Sequence, residues 1–223
     1  MKILIVGGSE NMDECRQKFP DKTLEHAESH GEAERYLHDT DVVFDFIIDK
    51  HPESFSLYSK KPLTVFLNTC MITLAELTCQ HTTFKCSPIG FNGFPTLFSR
   101  ECLEVAILNS QDISHVERIC NALQTQYMLV DDRVGLVTPR IICMIINEAF
   151  FTVEEGTASR EDIDLAMKLG TNYPYGPFEW CERIGLDNIY PLLKALYHDT
   201  KDQRYKTSAL MKKEFMRRVS GRI

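Results

Sequence analysis

Hydrophobic and polar positions along the chain fall into two regimes. Up to about residue 132, short apolar runs alternate with short polar or helix-patterned stretches. Residues 3–6, 42–48, 63–67, 83–89 and 103–108 read as strands, rich in Val, Ile and Phe and without strict alternation. A sheet covered on one face alternates apolar and polar residues, whereas unbroken apolar runs of this length suit a parallel sheet covered on both. Helix-patterned pieces over 12–19, 32–37, 73–77 and 114–123 separate them. The order predicts an α/β, doubly wound sheet with ligands at the carboxyl ends of its strands.

After Asp132 the pattern is helical throughout, so an α/β unit is expected over residues 1–132 and an all-helical unit over 133–223. Pro139 falls in the first turn of a helix running to about Glu155, where its missing N–H does no harm. Ile142, Ile145, Ile146, Ala149 and Val153 recur at helical spacing, and Cys143, Met144, Phe150 and Phe151 widen the apolar surface beyond one stripe. Gly156 is expected to end this helix. Ser159, with Asp162 three residues on, resembles a capping box opening the next, which is expected to end at Gly170. The basic stretch over 212–222 reads as a solvated helix end.

Length and charge narrow the classes. The 223 residues suffice for one sizeable domain or two small ones. A formal charge of −7 argues against nucleic acid and anionic membrane as partners, since both demand clustered cations. No apolar stretch reaches spanning length, nothing at the N-terminus reads as a signal peptide, and a cytoplasmic protein is expected. The eight cysteines form no C-x-x-C pair and mostly lie in apolar runs, which suits buried thiols in a reducing compartment. Cys79, His81 and Cys86 match no standard zinc spacing, and no metal is expected.

The helical half carries a resemblance. "NEAFFTVEEGTASREDIDLAMKLGTNYPYGPFEWCERIGLD", residues 147–187, resembles the C-terminal domain of the 3-hydroxyacyl-CoA dehydrogenase family. That family carries NEA, EEG, S-x-E-D-I-D-x-A-M-K-L-G, P-x-G-P-x-E and I-G-L-D in the same order. The resemblance is dense over 135–190 and thin before it, where some fifty residues of the family pattern are missing. It implies a shortened Rossmann-like sheet followed by the helical domain. It also implies NAD as cofactor, an acyl-CoA-like ligand, a place in fatty-acid metabolism and a homodimer formed through the helical domain. The family oxidises (S)-3-hydroxyacyl-CoA to 3-ketoacyl-CoA with NAD.

Such chemistry needs a phosphate loop, a base and polar groups that place the substrate oxygen. In the opening "MKILIVGGSENMDE", Gly7 holds the first glycine position and Gly8 follows, but Ser9 and Met12 stand at the second and third. Glu10 adds a carboxylate where a phosphate would want the positive helix end, so NAD is expected to bind weakly or not at all. The family's catalytic His precedes an orienting Glu by twelve residues; Glu104 matches the Glu, and the ungapped position is Asn92. An amide accepts no proton near neutral pH. Cys70 stands for a Ser that helps hold the substrate oxygen, Pro139 for a conserved Asn, and Asp49 for a longer Glu. Asn68 and Thr69 match the family, or shape a turn.

Three functions fit these residues. One is a degenerate relative, with lost or much reduced oxidation of 3-hydroxyacyl-CoA, that serves in binding or interaction. The others are a working dehydrogenase with relocated groups and a structural dimerisation module.

Overall fold

The structure, a computed structural model, describes residues 1–221. It divides into two compact units, Met1–Val137 and Thr138–Ile223.

The first unit is built on a sheet ordered β2-β1-β3-β4-β5-β6-β7. In chain order its elements are β1 (Lys2–Val6), α1 (Ser9–Lys18), β2 (Thr23–Ala27), α2 (His30–Ala33), β3 (Val42–Asp45), α3 (Ser56–Ser59) and β4 (Thr64–Asn68). There follow α4 (Leu74–Thr78), β5 (Ser87–Phe91), β6 (Cys102–Ala106), α5 (Ile113–Leu123) and β7 (Gln126–Leu129). Alternate residues of each central strand serve opposite faces. Ile3 and Ile5 of β1 join Val42, Phe44 and Phe66 beneath α1 and α5, which contribute Met12, Cys15, Val116, Ile119 and Leu123. Leu4 and Val6 join Val43, Val65 and Leu67 on the other face, against Ala33, Phe55, Tyr58, Leu74 and Leu77. Both faces are therefore dry, which is why the strands read as unbroken apolar runs.

Several details differ from expectation. The sheet is mixed, because β5 and β6 pair antiparallel while every other pair is parallel. The strands β2 and β7 had no clear signature: they are the two edges, and β7 is largely exposed. The strand expected from residue 83 starts only at Ser87. The N–H of Lys85 is instead bound to the carbonyl of Ser59, and that of Ser87 to Leu63. Five cysteines are buried, but Cys79 and Cys102 are exposed and Cys181 is half-buried; none of the eight is in a disulfide.

The second unit comprises α6 (Thr138–Glu154), α7 (Arg160–Thr171), α8 (Pro177–Ile184), α9 (Leu186–Thr200) and α10 (Ala209–Val219). Pro139 lies in the first turn of α6, and the Ser159 hydroxyl accepts the N–H of Asp162 at 3.1 Å to open α7. Helix α7 runs past Gly170 to Thr171, and Asn172 supplies the left-handed residue (φ 54°) that stops it. The basic stretch is exposed along α10 at Lys212, Lys213 and Arg217, while Arg222 lies outside the described residues. No described helix is long and apolar enough to cross a membrane.

Candidate functional site

The carboxyl ends of β1, β3, β4 and β5 are adjacent in the sheet, and six of the seven sequence-derived positions, Gly7, Gly8, Asp49, Asn68, Cys70 and Asn92, sit at or just beyond them. The strand β4 ends in Asn68, whose amide donates to the Phe46 carbonyl and to Asp49 Oδ2, both at 3.1 Å. Its Oδ1 accepts the N–H of Gly93 at 3.2 Å. Asn68 thus ties together the segments that follow β3 and β5. Asp49 is half-buried as a residue, but its Oδ1 is shut off from solvent and without a hydrogen-bond partner. Burial pushes its carboxyl up to about 7, against the pull of Lys50 and with the charge of Asp45 adding to the rise.

Asn92 lies opposite Glu104 where β5 and β6 run antiparallel, and its N–H points to the Glu104 carbonyl at 3.4 Å. The antiparallel pairing therefore brings together the two positions that the resemblance gives to a base and its orienting Glu. The side chain at the first is an amide, which accepts no proton near neutral pH. Asn92 Oδ1 accepts the N–H of Phe94 at 3.2 Å and faces the Cys70 thiol at 3.5 Å. Glu104 Oε2 accepts the N–H of Val137 at 3.1 Å, and the Cys70 carbonyl accepts that of Gly135 at 2.8 Å. Pro139, the second residue of the second unit, offers no side-chain hydrogen bond.

The loop between β1 and α1 is filled by its own side chains. Asn11 Oδ1 accepts the N–H of Gly8 at 2.9 Å. A Cβ placed on Gly8 would stand 2.8 Å from both carboxylate oxygens of Glu10. Met12 is 6% exposed and packs into the core beneath the sheet, so the third glycine position holds a core residue. The His26 ring contacts the Gly7 carbonyl at 2.8 Å. A dinucleotide's pyrophosphate binds where loop N–H groups are free and the helix end is positive. Here the Gly8 N–H is used and a carboxylate stands beside it. These residues do not fit NAD in that mode.

Sequence reasoning missed Asn11 and a second polar network. Asp45, fully buried, accepts from Tyr58 at 2.8 Å and from the Ile47 N–H at 3.0 Å, and the His30 ring contacts it at 2.7 Å. Fifteen residues separate His30 from Asp45, and nothing local links them. Asn11 was legible, since an amide at the third helical position is a capping residue type. No group of three or more potential metal ligands occurs among the described residues.

The residues behind the resemblance build the helical unit. Asp164 of α7 caps α8, accepting the N–H groups of Phe178 at 2.8 Å and Glu179 at 3.1 Å. Gly176 is required there, because a Cβ would run into the Asp164 carboxylate. Glu179 reaches back to the Gly176 N–H at 3.0 Å and pairs with Lys168. Arg160 lies over Phe150 and Phe178 and pairs with Glu214. Asn147, 2% exposed, donates to the Lys206 carbonyl and accepts the Ser208 N–H, tying α6 to the approach to α10.

Comparison with known proteins agrees. Residues 135–222 match the family model of the 3-hydroxyacyl-CoA dehydrogenase C-terminal domain. A 3-hydroxyadipyl-CoA dehydrogenase of Escherichia coli is 42% identical over 83 residues, which is 37% of this chain and 18% of that protein. The mitochondrial hydroxyacyl-coenzyme A dehydrogenase of Sus scrofa is 27% identical over 88% of this chain and 65% of its own length. A 3-hydroxybutyryl-CoA dehydrogenase of Clostridioides difficile is 31% identical over 73% and 59%. The chain thus spans less than two-thirds of each of these relatives. A crystal structure of (S)-3-hydroxybutyryl-CoA dehydrogenase from Ralstonia eutropha superposes with a TM-score of 0.69 at 20% identity, covering 95% of this chain and 92% of that one. That likeness shows the fold.

Proposed function

We propose, from the premise that residues 135–222 carry the C-terminal domain of the 3-hydroxyacyl-CoA dehydrogenases and that the chain is related to those enzymes, that this protein keeps their scaffold without their hydride transfer. It binds an acyl-CoA-like ligand or a protein partner and assembles as a homodimer through its helical unit. One observation carries the reading. The position opposite Glu104 holds Asn92, whose oxygen is taken up by Phe94 and Cys70. An amide accepts no proton near neutral pH, and losing a general base commonly slows a reaction roughly 10²–10⁴-fold. The misfit of the β1–α1 loop to NAD supports the same reading.

Titration calorimetry tests it. NAD and NADH give no binding heat at millimolar concentration, while acetoacetyl-CoA binds whether or not NADH is present. Micromolar affinity for NADH overturns the reading.

A working dehydrogenase with relocated groups has one observation in its favour: Asp49, a carboxyl near neutrality held in place by Asn68. On that reading turnover rises and falls with a group titrating near pH 7, and Asp49→Asn abolishes it.

A further inference from the structure

The misfit to a dinucleotide has a more specific cause than the missing glycines. Sequence comparison points to Ser9 and Met12, which stand where the resemblance expects glycine. The structure turns instead on Glu10, whose carboxylate the sequence also singles out, and on Asn11, which it does not. Ser9 is exposed at the first turn of α1, and Met12 faces away into the core beneath the sheet. Glu10 and Asn11 lie against the loop's backbone. Asn11 folds back so that its amide oxygen accepts the Gly8 N–H at 2.9 Å, and Glu10 lays both carboxylate oxygens where a Cβ on Gly8 would stand. Gly7 is enclosed as well: a Cβ there would meet Asn11 Oδ1 at 2.5 Å and the Phe46 Cβ at 3.1 Å.

We infer that the β1–α1 loop is closed by an internal ligand: the Asn11 amide takes the place of an anion's oxygen on the Gly8 N–H, and the Glu10 carboxylate repels any anion that would displace it. The inference rests on the reading of this chain as a dehydrogenase scaffold without hydride transfer, and it names the residues that close the loop. A helix N-terminus carries partial positive charge and spare N–H groups, which an anion ordinarily neutralises. In this chain a carboxylate and an amide of the helix's own first turn do so. Closure is then a property of two side chains, and substituting them reopens the loop while Ser9 and Met12 stay as they are. The ligand class admitted on reopening is a phosphate or pyrophosphate anion.

The test uses the full chain with inorganic pyrophosphate as probe, followed by calorimetry and by the Gly8 amide resonance. The double variant Glu10→Ala/Asn11→Ala binds pyrophosphate at least about tenfold more tightly than the unmodified chain, and the Gly8 amide shifts on titration. Ser9→Gly gives no gain. Equal, weak binding by the double variant and the unmodified chain overturns the inference, as does a gain from Ser9→Gly that matches the double variant's. If the double variant fails to fold, two measurements still decide. Glu10 is exposed, so Glu10→Gln keeps the fold and must itself tighten pyrophosphate binding. The Gly8 amide of the unmodified chain must be protected from hydrogen exchange, and rapid exchange there overturns the role given to Asn11. Pyrophosphate binding by the unmodified chain would overturn the closure and leave the missing base untouched; turnover of substrate would strike the base argument instead.

Discussion

At the position where a catalytic histidine is expected, Asn92 works as a brace for the turn after β5. It is 3% exposed and binds the Phe94 N–H. Asn92→His alone therefore restores no turnover. The larger ring also lowers stability, by about 1–3 kcal/mol in a urea titration, as overpacking does. Asp49 makes a second prediction, read from the pH dependence of stability. Its carboxyl is raised from 3.8 to about 7 in the folded chain, so the folded state holds the proton more tightly than the unfolded one. The stabilisation is present below about pH 4 and is lost as pH rises through 7. Asp49→Asn keeps an acceptor for Asn68 and removes the charge. It raises stability at pH 8 by more than about 1 kcal/mol, with a ceiling of about 4 kcal/mol from the size of the shift, and changes it little at pH 4. A gain of equal size at both pH values would contradict the buried charge.

Elements explain what the sequence could show. The strands β1, β3 and β4 were legible because both faces of each are covered, which leaves unbroken apolar runs such as Ile3–Val6. The edges β2 and β7 were not, since residues such as Glu25, His26 and Gln126 lack that signature. The reversal between β5 and β6 is a long-range pairing that no local pattern records. In the site, Glu104, Asn92 and Asn68 could be placed by resemblance, but the Asp45–His30 contact joins positions with no local link. The helical motifs were the clearest stretch, and the structure gives their reason in the capping of α8 by Asp164. Asp164→Ala leaves two N–H groups of that helix uncapped and lowers stability by about 1–2 kcal/mol in denaturant unfolding. Gly176→Ala, which drives a methyl into the Asp164 carboxylate, lowers it further. Wild-type stability in both variants would refute the capping account.

For the whole molecule, surplus apolar surface lies on the helical unit. Most of the apolar side of α6 is buried, leaving Ile141 at 53% exposure, and the larger excess is on α7. There Leu165 and Leu169, one turn apart, are 54% and 79% exposed. A two-fold partner covering this face is the economical arrangement for so small a unit. Light scattering after size exclusion gives a dimer at tens of micromolar, and Leu165→Glu/Leu169→Glu gives a monomer that remains folded. A monomeric unmodified chain at that concentration contradicts the proposed assembly.

The loss of hydride transfer is the central claim, and the absorbance of NADH tests it most directly. The unmodified chain is mixed with NADH and acetoacetyl-CoA, then with longer 3-ketoacyl-CoA chains, and the absorbance is followed across pH 6–9. With no base opposite Glu104 and a loop closed by Asn11 and Glu10, the absorbance stays at its background drift in every case. Enzyme-dependent oxidation at about 1 per second, the low end of ordinary turnover, would contradict the account and show that a base acts from elsewhere in the chain.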